Sequence, residues 1–516
     1  MVVLLSGFPL FAQDPVDVDV LLRGGLVFDG TGAAGRIADV AIKGDKIVGV
    51  GAIKIGRVGR TIDCTGLYVT PGFIDLHTHS DSQVTDPALR ASVNYVLQGC
   101  TTQVTGNCGS GPVDVGAFYK KIDDGGAGTN VAHLLPQGSL RNHVAGDVDR
   151  KADADELKKM EELTEKAMQD GAWGMSTGLI YVPSVYASTE ELITLATVVG
   201  RHGGIYASHI RGEGTELLSA VGEAMRIGKE GKLPAHISHF KAAGQESWGT
   251  LRLAAELIEQ AQQRGEKVTA DQYPYTASST SLEATIVPTW ARSGGSKELI
   301  QRLGDSEIGP KLRKEIQASL STKRDGAAIY LVRCKSHPEW IGKNLVEAGD
   351  ESKQSSLAVA LEILRHGGAA VVNFSMSEDD VRMAMQRPWV ATASDGRAYL
   401  PGEDRPHPRN YGTFARKIGR YSLKENVIPI EHAVRSCSGL PADIIGLKDR
   451  GYLKPDFFAD VVVFDPKEYI DAATFDDPHQ YARGTRYVFV NGHPAVFQGV
   501  PTGTLAGRAL RHPSPK

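Results

Sequence analysis

Between about residues 70 and 440, short apolar strands alternate with amphipathic helices, and this alternation limits the chain to few folds. The strands read as residues 72–76, 101–105, 131–135, 173–177, 205–208, 235–238, 267–271 and 389–393. Helices with an apolar stripe fill several of the gaps, at 153–168, 189–201, 215–229 and 251–264. Ser188-x-x-Glu191 reads as a capping box opening the second of these. Strand–helix repetition of this kind builds a parallel sheet covered by helices. Eight units in about 360 residues predict an α/β chain with a (β/α)8 barrel. The gap between the seventh and eighth strands is too long for one helix, so an inserted subdomain, a lid in form, is expected over about 281–347.

The two ends have a different rhythm. Val20-Leu-Leu-Arg23, Asp39-Val-Ala-Ile42 and Lys46-Ile-Val-Gly-Val50 are strands divided by Gly24-Gly25, Gly30 and Gly44-Asp45. Ala459-Asp-Val-Val-Val-Phe-Asp465 and Tyr487-Val-Phe-Val490 match them at the far end. The simplest assembly is one small β-sandwich made from residues 14–69 and 440–516, flanking a barrel of residues 70–439. The first 13 residues are an apolar run ending Phe11-Ala-Gln13 and resemble the tail of a secretory signal without its basic start. If that signal is genuine the chain is exported or periplasmic; otherwise it is cytoplasmic.

Composition removes several function classes. A formal charge of −4 with scattered signs gives no footing for nucleic acid or an anionic membrane. No stretch approaches the roughly 20 apolar residues of a membrane span. Five cysteines, an odd and sparse set, make no disulfide framework. A thiol beside histidines is then a metal-ligand candidate.

Barrel enzymes carry their chemistry at the C-terminal ends of the strands. Strand one ends in His77 and His79, whose spacing points both imidazoles the same way, with Asp81 behind. Strand two runs into Gly106-Asn-Cys108-Gly109; strands five and six end at His209 and His239; strand eight ends at Asp395. Each residue alone has a bland explanation: a buried small thiol, a core histidine, a turn aspartate. Four histidines, a thiol and a carboxylate on one rim are together a zinc or binuclear metal set. His236 competes with His239, but the offset of three puts them on opposite faces of the strand. His239 is nearer the rim, and His236 reads as structural.

These motifs resemble the N-acyl-D-amino-acid deacylase (D-aminoacylase) branch of the amidohydrolase superfamily. The resemblance rests on Pro71-Gly-Phe-Ile-Asp-Leu-His-Thr-His-Ser-Asp81, Gly106-Asn-Cys-Gly109 and Ser176-Thr-Gly-Leu-Ile-Tyr-Val-Pro183. Ser208-His-Ile-Arg-Gly-Glu213, His236-Ile-Ser-His-Phe-Lys241 and His407-Pro-Arg-Asn-Tyr-Gly-Thr-Phe414 carry it further, and it spans about residues 17–510. It implies zinc-dependent hydrolysis of N-acyl-D-amino acids, small molecules, to a carboxylate and a D-amino acid. Cys108, His209 and His239 would hold one tight Zn2+; His77, His79 and Asp395 would form a second, weaker or partly occupied site. Asp395 would carry the proton. Lys241 resembles the family's carboxylate-binding lysine, with Tyr275 adding a hydroxyl and Tyr181 lining the pocket. One of Arg397, Arg405 and Arg409 would meet the amino-acid side chain, while Arg211 and Glu213 would orient His209 or the rim. Hydrolysis of cyclic amides, ureido compounds or D-residue dipeptides is the alternative on the same scaffold. A non-catalytic scaffold protein is the reading least compatible with six retained ligand candidates.

Overall fold

A computed structural model describes residues 15–513; the signal-like segment lies outside them. All eight expected barrel strands form. Phe73–Asp75, Cys100–Thr105 and Asn130–His133 pair in parallel. The chain continues through Leu135–Pro136 into Gly174–Gly178, Ile205–His209, Ala235–Ile237, Val268–Gln272 and Val390–Thr392, again parallel throughout. The ring closes where the first strand meets the last. Asp395 donates its N–H to the His77 carbonyl (2.8 Å), and His79 donates to the Gly396 carbonyl (2.7 Å). Below them the buried Asp75 carboxylate accepts the N–H of both His77 (3.1 Å) and Ser394 (3.0 Å).

The helices form because one face is apolar. Thr189–Arg201 buries Leu192, Leu195, Ala196 and Val199, the spacing of a helical stripe. Ser188 caps it by accepting the Glu191 N–H (3.2 Å). The Glu191 carboxylate does not return to Ser188; it bonds Gln137 and the buried Arg141. The capping box is therefore half made, its acid diverted to pair a guanidinium that water does not reach. Asp153 and Glu156 make a complete box at Ala154–Gln169.

Both termini build one nine-stranded sheet. Val16–Val27 is its pivot: it pairs with Arg36–Lys43 on one side and with Ile55–Asp63, then Tyr68–Pro71, on the other. Leu22, Ile62, Val69, Val461 and Phe489 from the resulting branches share one core, which gives the sandwich its interior. The inserted subdomain is larger than its sequence signal. Ser278–Ser281 and Ile329–Cys334 both pair antiparallel with Ala369–Asn373, so the insertion runs on to about residue 373. It has its own core around Leu282, Leu312, Ile316, Leu345 and Val359. All five cysteines are free and buried. Among the described residues no helix is long and apolar enough to cross a membrane.

Asp460 fastens the sheet to the barrel. It accepts from the Asn491 N–H (2.8 Å), from Asn130 Nδ2 on the third barrel strand (3.1 Å) and from the buried Arg450. Removing one partner of a buried ion pair strands the other charge. Asp460→Ala is therefore expected to lower unfolding free energy by about 3–5 kcal/mol in urea denaturation. A loss below about 1 kcal/mol, the size of a surface pair, would contradict the anchor.

Candidate metal centre

The turn after strand two explains why its sequence is Gly-Asn-Cys-Gly. Gly106, Cys108 and Gly109 all have left-handed backbone, with φ of 76°, 50° and 68°. A Cβ on Gly106 would lie 2.0 Å from the Leu134 carbonyl oxygen, so only glycine fits. Asn107 donates to the carbonyls of Leu76 (3.1 Å) and Val104 (2.9 Å), tying the turn to its neighbouring strand. Asp81, behind the histidine pair, accepts the Gly106 N–H (2.7 Å) and so shapes this turn. His239 (φ 38°) and Asp395 (φ 50°) are left-handed as well. Such backbone costs on the order of 1–3 kcal/mol per non-glycine residue. Here it falls on three residues whose donor atoms converge.

Cys108 Sγ lies 3.3 Å from His77 Nε2, 3.6 Å from His209 Nδ1 and 3.7 Å from His239 Nε2. The two imidazole nitrogens of His209 and His239 are 2.9 Å apart. A tetrahedral ion with Zn–N and Zn–S bonds of about 2.0–2.3 Å needs donor–donor edges of roughly 3.3–3.6 Å. The thiol–imidazole edges fit, and the imidazole–imidazole edge is slightly short. Asp395 Oδ1 stands 3.0 Å from His79 Nε2 and 3.5 Å from His77 Nε2, forming an adjacent donor set. His77 belongs to both sets by distance. Burial raises the Cys108 thiol, but the charge of His77 and hydrogen bonds from His209 and His239 outweigh it, leaving the pKa well below the thiol range. Burial likewise opposes ionisation of Asp395, and Arg409 with His77 reverses it, so the carboxylate stays ionised.

Two carboxylates, the buried Asp271 and the half-buried Glu213, face the far sides of the imidazoles. A nitrogen that ligates a metal carries no proton, so with Nε2 turned to the metal site the His239 proton would sit on Nδ1, which needs an acceptor. Glu213 Oε1 lies 2.9 Å away. Lys241 Nζ is nearer still, at 2.7 Å, but an ammonium only donates. Glu213 Oε2 faces His209 Nε2 at 3.7 Å, so one carboxylate addresses both rings. Burial raises Glu213, and Lys241 with the two histidines holds it well below the usual carboxylate range. Asp271 does the same for the other side: it faces His77 Nδ1 (3.4 Å), bonds His236 Nε2 (2.9 Å) and accepts the His239 N–H (2.7 Å). His236 is thus a partner of Asp271, placed behind the donor atoms.

A cavity of about 890 Å³ opens above the donors, lined by His79, Cys108, His209, His239 and Asp395. Tyr181 lines it too, its ring edge-on to His209 (5.1 Å) and its hydroxyl 3.1 Å from Thr280 Oγ1. Three expected substrate residues do not reach it. Lys241 is buried against Glu213, to which its ammonium donates. Tyr275 is buried beside His407 and Phe475, with its hydroxyl on the Pro408 carbonyl (3.4 Å). Arg405 lies against Gly342 of the insertion, its N–H on the Val332 carbonyl (3.0 Å). Arg409 instead enters the cavity wall and bonds Asp395 Oδ2 (2.7 Å). Arg211 bonds the carbonyls of Val185 (2.8 Å) and Ala187 (3.0 Å), holding the rim.

The amidohydrolase family matches residues 60–287 and 356–496 and passes over the stretch between, which lies in the insertion. The chain is 36% identical to D-aminoacylase of Alcaligenes xylosoxydans xylosoxydans, over 96% of this chain and 98% of that protein. A D-aminoacylase structure whose binuclear metal centre shows one-metal activation and second-metal attenuation superposes with a TM-score of 0.81 at 34% identity, covering 96% of this chain and 100% of that one. N-acyl-D-glutamate deacylase from Bordetella bronchiseptica, solved with zinc and a phosphonate mimic of the tetrahedral intermediate, superposes with a TM-score of 0.82 at 30% identity, with the same coverage.

Glu213→Gln keeps the size of the side chain but offers His239 and His209 one acceptor instead of two. The expected result is a 10- to 100-fold weaker metal affinity, about the cost of losing an outer partner of metal ligands. Chelator competition on the purified protein measures it. An unchanged affinity would show that the carboxylate does not orient the rings.

Proposed function

The chain belongs to the amidohydrolase family, and on that premise we propose that it hydrolyses the amide bond of N-acyl-D-amino acids, releasing a carboxylate and a D-amino acid. One observation carries the reading: six donors from five strand ends converge, five of them lining a single cavity that also holds an ionised carboxylate–guanidinium pair. Cys108, His209 and His239 are the residues we assign to a tight zinc, leaving an open position as catalytic sites need. His77, His79 and Asp395 are assigned to a second, weaker site. The zinc-bound and binuclear relatives support both assignments. A divalent ion held there supplies Lewis acidity, polarising the scissile carbonyl and making water nucleophilic near neutral pH.

The chain's own residues do the rest. Asp395 is ionised and has Oδ1 turned to the histidines, so Oδ1 accepts the proton of the attacking water. The same atom returns that proton to the amide nitrogen as the C–N bond breaks, so that one water is divided between acid and amine. Arg409 fixes the carboxylate through Oδ2, and its second amino group bonds the Ser279 carbonyl (3.3 Å). Lys241 is turned away to Glu213, whereas Arg409 lines the cavity, so we assign Arg409 to the substrate's α-carboxylate alongside its bond to Asp395. Tyr181 covers His209 and narrows the approach. Preference for the D enantiomer rests on the similarity to the D-aminoacylases.

Asp395→Asn is expected to reduce kcat by at least 100-fold, the span of lost proton-transfer catalysis, with metal still bound at Cys108, His209 and His239. A near-wild-type rate in the asparagine variant would remove Asp395 from proton transfer. A metal-supplemented screen of N-acetyl and N-succinyl derivatives of both enantiomers tests the reaction itself: turnover confined to the D series is expected, and cleavage of cyclic amides alone would overturn the reading.

A further inference from the structure

The upper wall of the cavity comes from the insertion and from the loop after Asp395, and it carries three cations: Arg333, Lys335 and Arg397. Arg333 and Lys335 are alternate residues at the end of the strand Ile329–Cys334, so they project to one side, and both are exposed. Arg333 pairs across the sheet with Ala370, which leaves room beside the long side chain. Arg397 follows Asp395 by two residues. Its backbone is fixed by Asn410 Oδ1 (2.8 Å) and Asn94 Nδ2 (3.0 Å), while its side chain is exposed. Burial and Asp404, whose carboxylate accepts the Tyr399 hydroxyl (2.6 Å), raise that lining hydroxyl, while the charges of Arg397 and Arg333 oppose them, so the two guanidinium groups share one part of the wall.

Among the described residues, no carboxylate lies within ion-pair distance of any of the three. Arg409 has Asp395 and Arg211 has Glu223. The acids lining the cavity are Asp395 and Glu283. Arg333 and Lys335 lie in the stretch 288–355 that the family match passes over, within the insertion. The α-carboxylate is met by Arg409 at the floor. Three further cations above it, none in a direct ion pair, exceed what one α-carboxylate needs.

We propose that Arg333, Lys335 and Arg397 form a second carboxylate subsite, so that the preferred substrates are N-acyl-D-amino acids bearing two carboxylates. The second carboxylate sits on the amino-acid side chain or on the acyl group; both present the same anion to the same wall. Guanidinium groups suit it because their planar fork pairs both carboxylate oxygens. The inference rests on the deacylase reading above and deepens it.

The test compares kcat/KM at low ionic strength for uncharged and charged isosteres in two arms. One arm sets N-acetyl-D-glutamate against N-acetyl-D-glutamine; the other sets N-succinyl-D-leucine against its succinamide counterpart. The acid is expected to exceed its amide at least 10-fold in one arm, and that arm identifies where the second carboxylate sits. In R333A/K335A, and separately in R397A, the acid-to-amide ratio is expected to fall toward one. A shift in this ratio is not produced by partial unfolding, which lowers both rates alike. Equal or better turnover of the amides in both arms would overturn the subsite while leaving the deacylase reading intact. A wild-type acid preference that survives in both variants would overturn it as well. Failure of the metal-loaded wild type to hydrolyse any of the four would refute the deacylase reading, and the subsite with it.

Discussion

Everything at this site depends on the seam where the first barrel strand meets the last. Two backbone hydrogen bonds, between residues more than 300 positions apart, lay His77 and His79 beside Asp395. The buried Asp75 carboxylate reinforces the seam by accepting from both strands with one oxygen. Without that closure the donors of strand one and the carboxylate of strand eight would belong to different faces. With it, the cavity floor is a continuous ring of strand ends. The side chains inherit their convergence from the tilt and closure of a parallel barrel.

The same floor concentrates backbone strain. Cys108, His239 and Asp395 each hold a left-handed conformation that non-glycine residues avoid. The turn at Cys108 survives because Gly106 and Gly109 frame it, Asp81 accepts the Gly106 N–H and Asn107 donates to the strand carbonyls of Leu76 and Val104. The turn at His239 survives because Asp271 takes its N–H. These are outer-layer interactions, and they fix where the donor atoms point more tightly than side-chain packing alone would. A metal ion arriving at such a floor meets donors already aimed, so little ordering remains to be done on binding.

Much of this was legible in the sequence, for identifiable reasons. Strand ends announce themselves by an apolar run followed by turn residues, and function in a barrel gathers at one set of those ends. His77, His79, Cys108, His209, His239 and Asp395 therefore stood out without any coordinates. Beyond the strand end that logic stops. Lys241 follows His239 by two residues, which suggests the same direction, but Glu213 from the neighbouring loop draws its ammonium down behind the histidines. Tyr275 is similarly taken into a cluster of aromatic rings. Partners 28 or more residues away decided those side chains, and no local pattern encodes them. The insertion was visible as an interval too long for one helix, but its edge strand Ser278–Ser281 is entirely Ser and Thr and carries no apolar alternation.

The separate core of the insertion has a consequence for how such an enzyme diversifies. Its apolar cluster closes over Leu282, Leu312 and Val359, whereas the helices of the barrel close over another set that includes Leu192, Val221 and Ile258. Residues of the insertion such as Val332, Leu364 and Ala370 look into the cavity. Mutations that change which molecule is admitted can thus accumulate in one folding unit while the bond-breaking apparatus rests on another. Much of the wall can vary with the insertion, whereas Arg397 and Arg409 tie the rest of it to the loop that carries Asp395, so a lineage carrying this arrangement can explore new substrates chiefly from one side.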